Sequence, residues 1–316
     1  MKPKVTIGIC VKNSEATIKE TIESILAQDF PYEQTEIIIV DGNSTDKTLS
    51  ILMNCLENAN IRTYVFHENE GLGTARQIVV ENANGDYILW VDGDIILSRN
   101  YIRRQVEFME QNPKVGIAKG KLPLKMLKNT LATLEMLSRP SVVTTVYKSK
   151  IHSNALGTGG SIYRTQAIKQ AGGFDKNLRG YCEDWDAEIR IQEAGWFLAR
   201  TNVKYLDYER HGLTWKNLWA RYWERGYYTH YFLHKRPGLL RLYKMLPPAA
   251  LLAGLLYAEK LFKLLRKGIV FLLPLQYLFK SAAWYAGFIT SHLHNYEPKT
   301  LQYKPNLRIT NSKLIE

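Results

Sequence analysis

The run Gly85-Asp-Tyr-Ile-Leu-Trp-Val-Asp-Gly-Asp94 carries the residues best placed to do chemistry. Its apolar, β-forming centre, Tyr87 to Val91, predicts a buried strand. Asp92 and Asp94 follow at the end of that strand with only Gly93 between them. Two carboxylates at the mouth of a buried strand repel each other. The repulsion is relieved when a divalent cation sits between them and an anionic ligand. Mg²⁺ and Mn²⁺ take such oxygen ligands and keep positions open for substrate phosphates. The Asp-Gly step also marks a hairpin, so the residues alone permit a cation site or a turn. A second acidic cluster, Glu183-Asp-Trp-Asp-Ala-Glu188, offers either a general base or a helix N-terminus favoured by the dipole.

The elements that must hold these acids alternate between two periods. Val5–Val11 predicts a strand, and Ser14 can cap a helix whose Ile18, Ile22, Ile25 and Leu26 share a face. The apolar run Glu36–Val40 predicts a strand covered on both faces. Asp46 can cap the next helix, with Leu49, Leu52, Met53 and Leu56 inward. Arg62–His67 and Asp86–Val91 predict two more strands, with a helix over Thr74–Asn82 between them. Such alternation implies an α/β fold with a mostly parallel sheet. Ligands of such sheets bind beyond the carboxyl ends of the strands, where Asp41, Asp92 and Asp94 all stand. Further on, Pro123–Leu137 has the pattern of an amphipathic helix, and Gly157-Thr-Gly-Gly160 is a glycine-rich turn.

Composition bounds the class. The chain has 316 residues, 46% of them hydrophobic, and ordinary Gly and Pro content, as a folded protein does. Its three widely spaced cysteines imply neither a disulfide framework nor a structural zinc. The first residues lack the apolar run of about 7–15 residues of a secretion signal and read as the opening strand. Through residue 210, 26 cationic residues are matched by 26 acidic ones; the remainder holds 16 against 4, the whole of the net +12. Those cations are interleaved with long apolar runs, which points to an anionic membrane surface rather than to nucleic acid.

In their order along the chain, these motifs resemble the family 2 glycosyltransferases with a GT-A fold. The resemblance covers roughly residues 4–235. It rests on residues 5–15 and 36–46, on Asn69-Glu-Gly-Leu-Gly-Thr-Ala-Arg76, and on the Asp-x-Asp at 92–94. The glycine loop 157–160, Glu183-Asp184 and a downstream His211 complete it. It implies a nucleotide-diphosphate sugar donor. Asp41 would then accept hydrogen bonds from the base, and Val11, Lys12 and Glu15 would line the nucleoside, although Cys10 and Lys12 depart from the usual proline and aromatic. Arg76, Gly159 and Gly160 would also line the donor, Asp92 would reach the ribose, and Asp94 with His211 would bind Mg²⁺ or Mn²⁺. Asp184 matches the base, with Glu183 orienting it or binding the acceptor and with Asp186 and Glu188 as alternatives. Trp185 suits a sugar platform or the core. Gly71-Leu-Gly-Thr-Ala-Arg76 is not a dinucleotide fingerprint, because it follows the third strand and lacks the last glycine.

From Trp215 the chain turns aromatic, basic and apolar. Arg221 and Arg225, four residues apart, share a helical face and suit either phosphate or a membrane surface. Leu246–Ala258 holds 13 residues without a charge, short for a span; Ile269–Thr290 holds 22 with only Lys280 charged. A spanning hairpin would place Lys260, Lys263, Arg266 and Lys267 on the far side, against the positive-inside tendency. Helices lying in the interface avoid this. The expectation is therefore a catalytic domain over residues 1–235 and a helical membrane-associating region over 236–316. The activity expected is inverting, metal-dependent transfer to a lipid-linked or glycan acceptor at the cytoplasmic face of the cell membrane, or alternatively transfer onto polyprenyl phosphate. A binding protein that has lost catalysis would not keep all of Asp92, Asp94, Glu183, Asp184 and His211.

Overall fold

The first four strands, β1 (Val5–Val11), β2 (Thr35–Asp41), β3 (Arg62–His67) and β4 (Tyr87–Trp90), run parallel. Helices α1 (Ile18–Leu26), α2 (Thr48–Leu56) and α3 (Leu72–Asn82) connect them in turn. β2 is buried throughout because Ile37 and Ile39 enter one core while Ile38 and Val40 enter the other. After β5 (Ile95–Leu97) and α4 (Tyr101–Gln111) come β6 (Val115–Lys121) and α5 (Thr130–Leu137). Then follow β7 (Ser161–Arg164), α6 (Thr165–Gln170), α7 (Glu183–Glu193) and β8 (Phe197–Asp207). The computed structural model describes residues 2–57, 59–123, 127–139, 156–207, 212–294 and 309–310.

Among these residues the strands form one sheet in the order β5-β8-β6-β7-β4-β1-β2-β3-β9, the last being Ile309–Thr310. β7 is antiparallel to both β4 and β6, so the sheet turns mixed beside β4. That junction is where Asp92 and Asp94 leave the sheet. One core gathers α1, α2 and α4 on the first face; the second gathers α3, α6 and α7 on the other.

Several local expectations change. Ser14 does not cap α1: its carbonyl accepts from the Thr17 and Ile18 N–H groups in a turn, and the helix begins at Ile18. Thr17 spends its hydroxyl on the Gly93 carbonyl at 2.6 Å instead. The helix expected from Pro123 begins only at Thr130, capped by Asn129, whose side chain accepts from the Ala132 N–H. Leu127 lies outside it, its N–H and C=O both bonded to the Thr133 hydroxyl. Residues 131–137 are buried on every side, so the element is a core helix rather than an amphipathic one. Asp46 is not the cap of α2 either, since Lys47 holds that position; from one residue earlier its side chain accepts from the Thr48 N–H at 3.0 Å.

Beyond the sheet lie α8 (Trp215–Lys235), α9 (Pro247–Leu265) and α10 (Leu273–Leu293). Leu134 and Leu137 of α5 pack with Ala258, Leu261, Val270 and Leu273. The single charge of α10, Lys280, is buried and bonded to Glu135 at 3.0 Å and to Ser138 at 2.8 Å. It faces the protein, where burial of a cation is tolerable only with such partners. α8 and α10 cross at two glycines. A Cβ on Gly226 would overlap the Trp284 carbonyl, and one on Gly287 would overlap the Trp223 carbonyl. Backbone atoms cannot step aside without parting the helices. Gly287→Ala is expected to cost about 2 kcal/mol or more, read as a lowered melting temperature. Gly268→Ala, with nothing near its added methyl, is the control and should melt normally.

Candidate functional site

The floor of the cleft is built by two loops clasped together. Asn13, in the left-handed region at φ 49°, accepts from the Thr45 N–H at 2.8 Å, and its own N–H donates to the Ser44 hydroxyl at 3.0 Å. Glu15 accepts from the Lys47 N–H at 3.0 Å, while the Glu15 N–H donates to Asp46 at 3.1 Å. The Ser14 N–H donates to the Thr48 hydroxyl at 2.7 Å. Val11 is aligned with Asp41 across β1 and β2. The Asp41 carboxylate is nearly closed off, accepting from the Ser44 N–H at 3.1 Å with His67 Nδ1 3.4 Å away. Lys12 lies exposed beside Gly42, where Glu68 also comes close.

Arg76 is the hub of the cleft. The α3 pattern places it beside Ala75 and one turn before Val79 and Val80, on the buried side of the helix. Its guanidinium is buried, 3.7 Å from Asp92 Oδ1 and 3.3 Å from Glu183 Oε1, and it donates to the Thr158 hydroxyl. The rings of Trp90 and Phe174 face the guanidinium, their centres 5.8 and 5.9 Å from its Cζ. One cation thus joins the end of β4, the glycine loop and the start of α7. The loop comes this close because residue 159 has no side chain: a Cβ there would stand 2.7 Å from Asp92 Oδ2. Gly160, at φ 72°, turns the chain into β7.

The acid cluster divides in two. Glu183 and Asp184 open α7, with Asp184 half-buried and its Oδ1 accepting from the Trp185 N–H at 2.7 Å. Burial pushes the Glu183 carboxyl up to about 7, against the pull of Arg76 and with a further push from Asp184. Asp186 is turned away, as a helix requires, and is wholly buried; it takes Arg190 at 2.8 Å and Lys235 at 2.9 Å. Trp185 stands on Phe232 at 5.1 Å, in the protein rather than in the cleft. Glu188 accepts from the Leu156 and Gly157 N–H groups and anchors the glycine loop; burial and Asp184 push its carboxyl up to about 7.

The structure adds Lys119 and Thr158 to the site. Lys119 Nζ donates to the Leu156 carbonyl at 2.7 Å, and burial brings its ammonium down to about 8. Its only sequence signal is a cation inside the otherwise apolar start of a strand. His211 lies outside the described residues. Among the described residues no group of three or more His, Cys, Asp or Glu side chains is arranged to hold a metal. The donor set that remains, Asp92 and Asp94 beside the space left by Gly159, consists of hard oxygens and fits Mg²⁺ or Mn²⁺ if phosphate oxygens complete the shell.

A parallel half-sheet that turns mixed beside an Asp-x-Asp, with acids gathered at its carboxyl ends, defines a GT-A type domain. Residues 6–169 match Glycosyl transferase family 2, and the chain belongs to that family. Among its relatives is the poly(ribitol-phosphate) β-N-acetylglucosaminyltransferase TarS of Staphylococcus aureus, 27% identical over 53% of this chain and 30% of the relative. The poly-β-1,6-N-acetyl-D-glucosamine synthase of the same species is 23% identical over 55% of this chain and 42% of the relative. The chain thus spans less than half the length of either. Among solved structures, the mannosyltransferase PcManGT of Pyrobaculum calidifontis, in complex with GDP-Man and Mn²⁺, superposes with a TM-score of 0.63 at 18% identity, over 94% of this chain and 89% of that one. A structure of S. aureus TarS residues 1–349 gives 0.51 at 17% identity, over 93% and 92%.

Proposed function

We propose that the chain transfers a sugar, with inversion, from a nucleotide-diphosphate donor to a lipid-linked or envelope-glycan acceptor at the cytoplasmic face of the cell membrane. The observation that carries this reading is the junction at Arg76, which sets Asp92 and Glu183 on either side of one guanidinium with the glycine loop between them. Asp41 and the clasped loops take the nucleoside. Asp92 takes the ribose. Asp184 removes the acceptor proton as the acceptor oxygen attacks the anomeric carbon from the face opposite the departing diphosphate. Glu183, held by Arg76, orients it.

Asp94, with His211, would hold Mg²⁺ or Mn²⁺, whose chemistry is to stabilise the charge developing on the leaving diphosphate. EDTA is expected to abolish turnover of UDP-, GDP- or dTDP-sugars, with recovery on adding Mn²⁺ or Mg²⁺. Asp94→Asn should be inactive yet fold normally. Full turnover in EDTA would overturn the cation assignment, and no turnover of any nucleotide sugar would overturn the activity.

Residues 1–235 are assigned to catalysis and 236–316 to membrane association. Gly268–Leu293 is long and apolar enough to cross a membrane, yet 44% of its most apolar stretch is buried inside the protein. A helix clamped to α8 along one face favours lying in the interface. Leu252, Leu255, Leu256, Phe271 and Leu275 offer the apolar side, each more than half exposed. Replacing Leu252, Leu255 and Leu256 together with Gln is expected to weaken partitioning into anionic vesicles about 100-fold, measured by flotation. Unchanged flotation would remove the membrane role of this face.

A further inference from the structure

α8 is a helix with two working faces. Tyr222, Arg225, Thr229, Phe232 and Arg236 recur at spacings of three and four residues, hence on one side. Read upward, that side meets the acid turn in the same order. Arg225 Nε donates to the Tyr181 hydroxyl; Thr229 Oγ1 lies 3.7 Å from Cys182 Sγ; Phe232 holds Trp185; Arg236 and Lys235 reach Asp186. The other side carries Trp219, Trp223, Gly226 and His230. These meet α10, with Trp219 5.3 Å from Phe279, the two glycines at the crossing, and His230 5.0 Å from Phe288.

The turn so held is not one the chain would keep unaided. Cys182, immediately before Glu183, has φ 70°. A side-chain-bearing residue stays in that left-handed region only where its surroundings impose it. Arg225 is one of those surroundings. Its guanidinium lies between two rings, 4.7 Å from the centre of Tyr181 and 4.5 Å from that of Tyr222. The Tyr222 hydroxyl donates to Glu135 at 3.1 Å, and Glu135 also receives Lys280 of α10. A chain of contacts therefore leads from α10 through Glu135, Tyr222 and Arg225 to Tyr181, two residues before Glu183.

We propose that Arg225 is a positioning residue: through Tyr181 it fixes the Glu183–Asp184 turn on α8 and ties the placement of those acids to the seating of the apolar helices. The proposal rests on the reading of Glu183–Asp184 as the reacting pair. The contacts of Arg225 are with the protein, at Tyr181 and Tyr222. Its loss acts on the rate and not on nucleotide binding, because Asp41, Asp92 and Asp94 stand on the ends of β2 and β4.

The test uses the full chain and its Arg225→Lys, Tyr181→Phe and doubly substituted forms. Turnover is followed as donor hydrolysis, in which water is the acceptor; binding of UDP and GDP, each with Mn²⁺, is followed by calorimetry. Lysine keeps the charge but loses the planar stack and the Nε donor. Arg225→Lys is expected to lower kcat about 10²-fold, the scale of an ångström-sized misplacement, with nucleotide affinity within about twofold and no further loss in the double variant. Nucleotide affinity falling in step with kcat, or losses that add in the double variant, would overturn the proposal. Should Arg225→Lys fail to fold, Tyr181→Phe decides alone, because it keeps the ring and removes only the hydroxyl; a normal kcat there overturns it. A wild-type chain that turns over no nucleotide sugar refutes the proposed function instead.

Discussion

Asp184→Asn is expected to lower kcat about 10²–10⁴-fold while leaving the affinity for nucleoside diphosphate unchanged. An amide cannot take the proton of an attacking hydroxyl, yet it can still accept from the Trp185 N–H, so the turn survives. The donor-side residues lie on other elements and do not sense the change. If the acceptor is instead a polyprenyl phosphate, already ionised, no proton has to leave and the loss is much smaller. Single-turnover rates with a sugar acceptor and with a phosphate acceptor separate the two. Asp186→Asn, which might have served as a neutral comparison, belongs to another class. Although burial pushes its carboxyl up, Lys235 and Arg190 hold it below its ordinary value, so the amide leaves those cations short of their partner. It should melt early rather than turn over slowly. A stable Asp186→Asn enzyme with a large kcat loss, beside a near-normal Asp184→Asn, would place the base two residues further on.

Arg76→Met should be the most damaging single change in the cleft. Methionine keeps the contact with Trp90 and Phe174 but removes the charge that faces Glu183 and Asp92. Breaking a buried pair in this way costs about 3–5 kcal/mol, so the melting temperature falls sharply. What activity remains carries a diagnostic. The raised Glu183 carboxyl is being pulled down by Arg76, so losing the cation sends it higher still. If the ionised pair is needed for turnover, the rising limb of the pH–rate profile moves to higher pH. The stability sign agrees. A carboxyl whose folded-state value exceeds its unfolded one favours the fold most at low pH and progressively less as pH climbs through the window between them. Arg76→Met should therefore lose more stability at pH 8 than at pH 5. Equal losses at both, with an unmoved limb, would show that Arg76 only fills space.

Much of this was legible before any coordinates. The periods of two and 3.6 gave β1 to β4 and α2 and α3 within a few residues, because both sheet faces are covered and tertiary context agrees with local pattern. The acids at 41, 92 and 94 announced themselves by sitting where apolar runs stop, and those at 183 and 184 by clustering with Asp186 and Glu188. The burial of Arg76 could have been recognised, since it shares a helix side with Val79 and Val80. Lys119 was beyond reach, and Glu188 was singled out as an alternative base rather than as the anchor of the glycine loop: each matters through a backbone group of residues 156–157, and such a contact leaves no trace in spacing. Ser14 misled because a serine before an apolar helix pattern looks like a cap whether or not a turn intervenes. Arg225 drew attention as a possible surface or phosphate contact, whereas its partners are two aromatic rings far apart in sequence.

The clasp between the β1–α1 and β2–α2 loops has a thermodynamic corollary. Its cross-loop hydrogen bonds fix backbone that would otherwise have to be ordered by the ligand. Ordering a residue costs about 1–2 kcal/mol of conformational entropy, and here that cost falls on folding instead of on association. On the proposed function, a nucleoside entering this preorganised floor would keep nearly all of its contact energy as affinity. Discrimination among bases would then rest on fixed shape, and the choice of sugar and acceptor would fall to the far side of Arg76, where the chain is held from α8 rather than by the sheet.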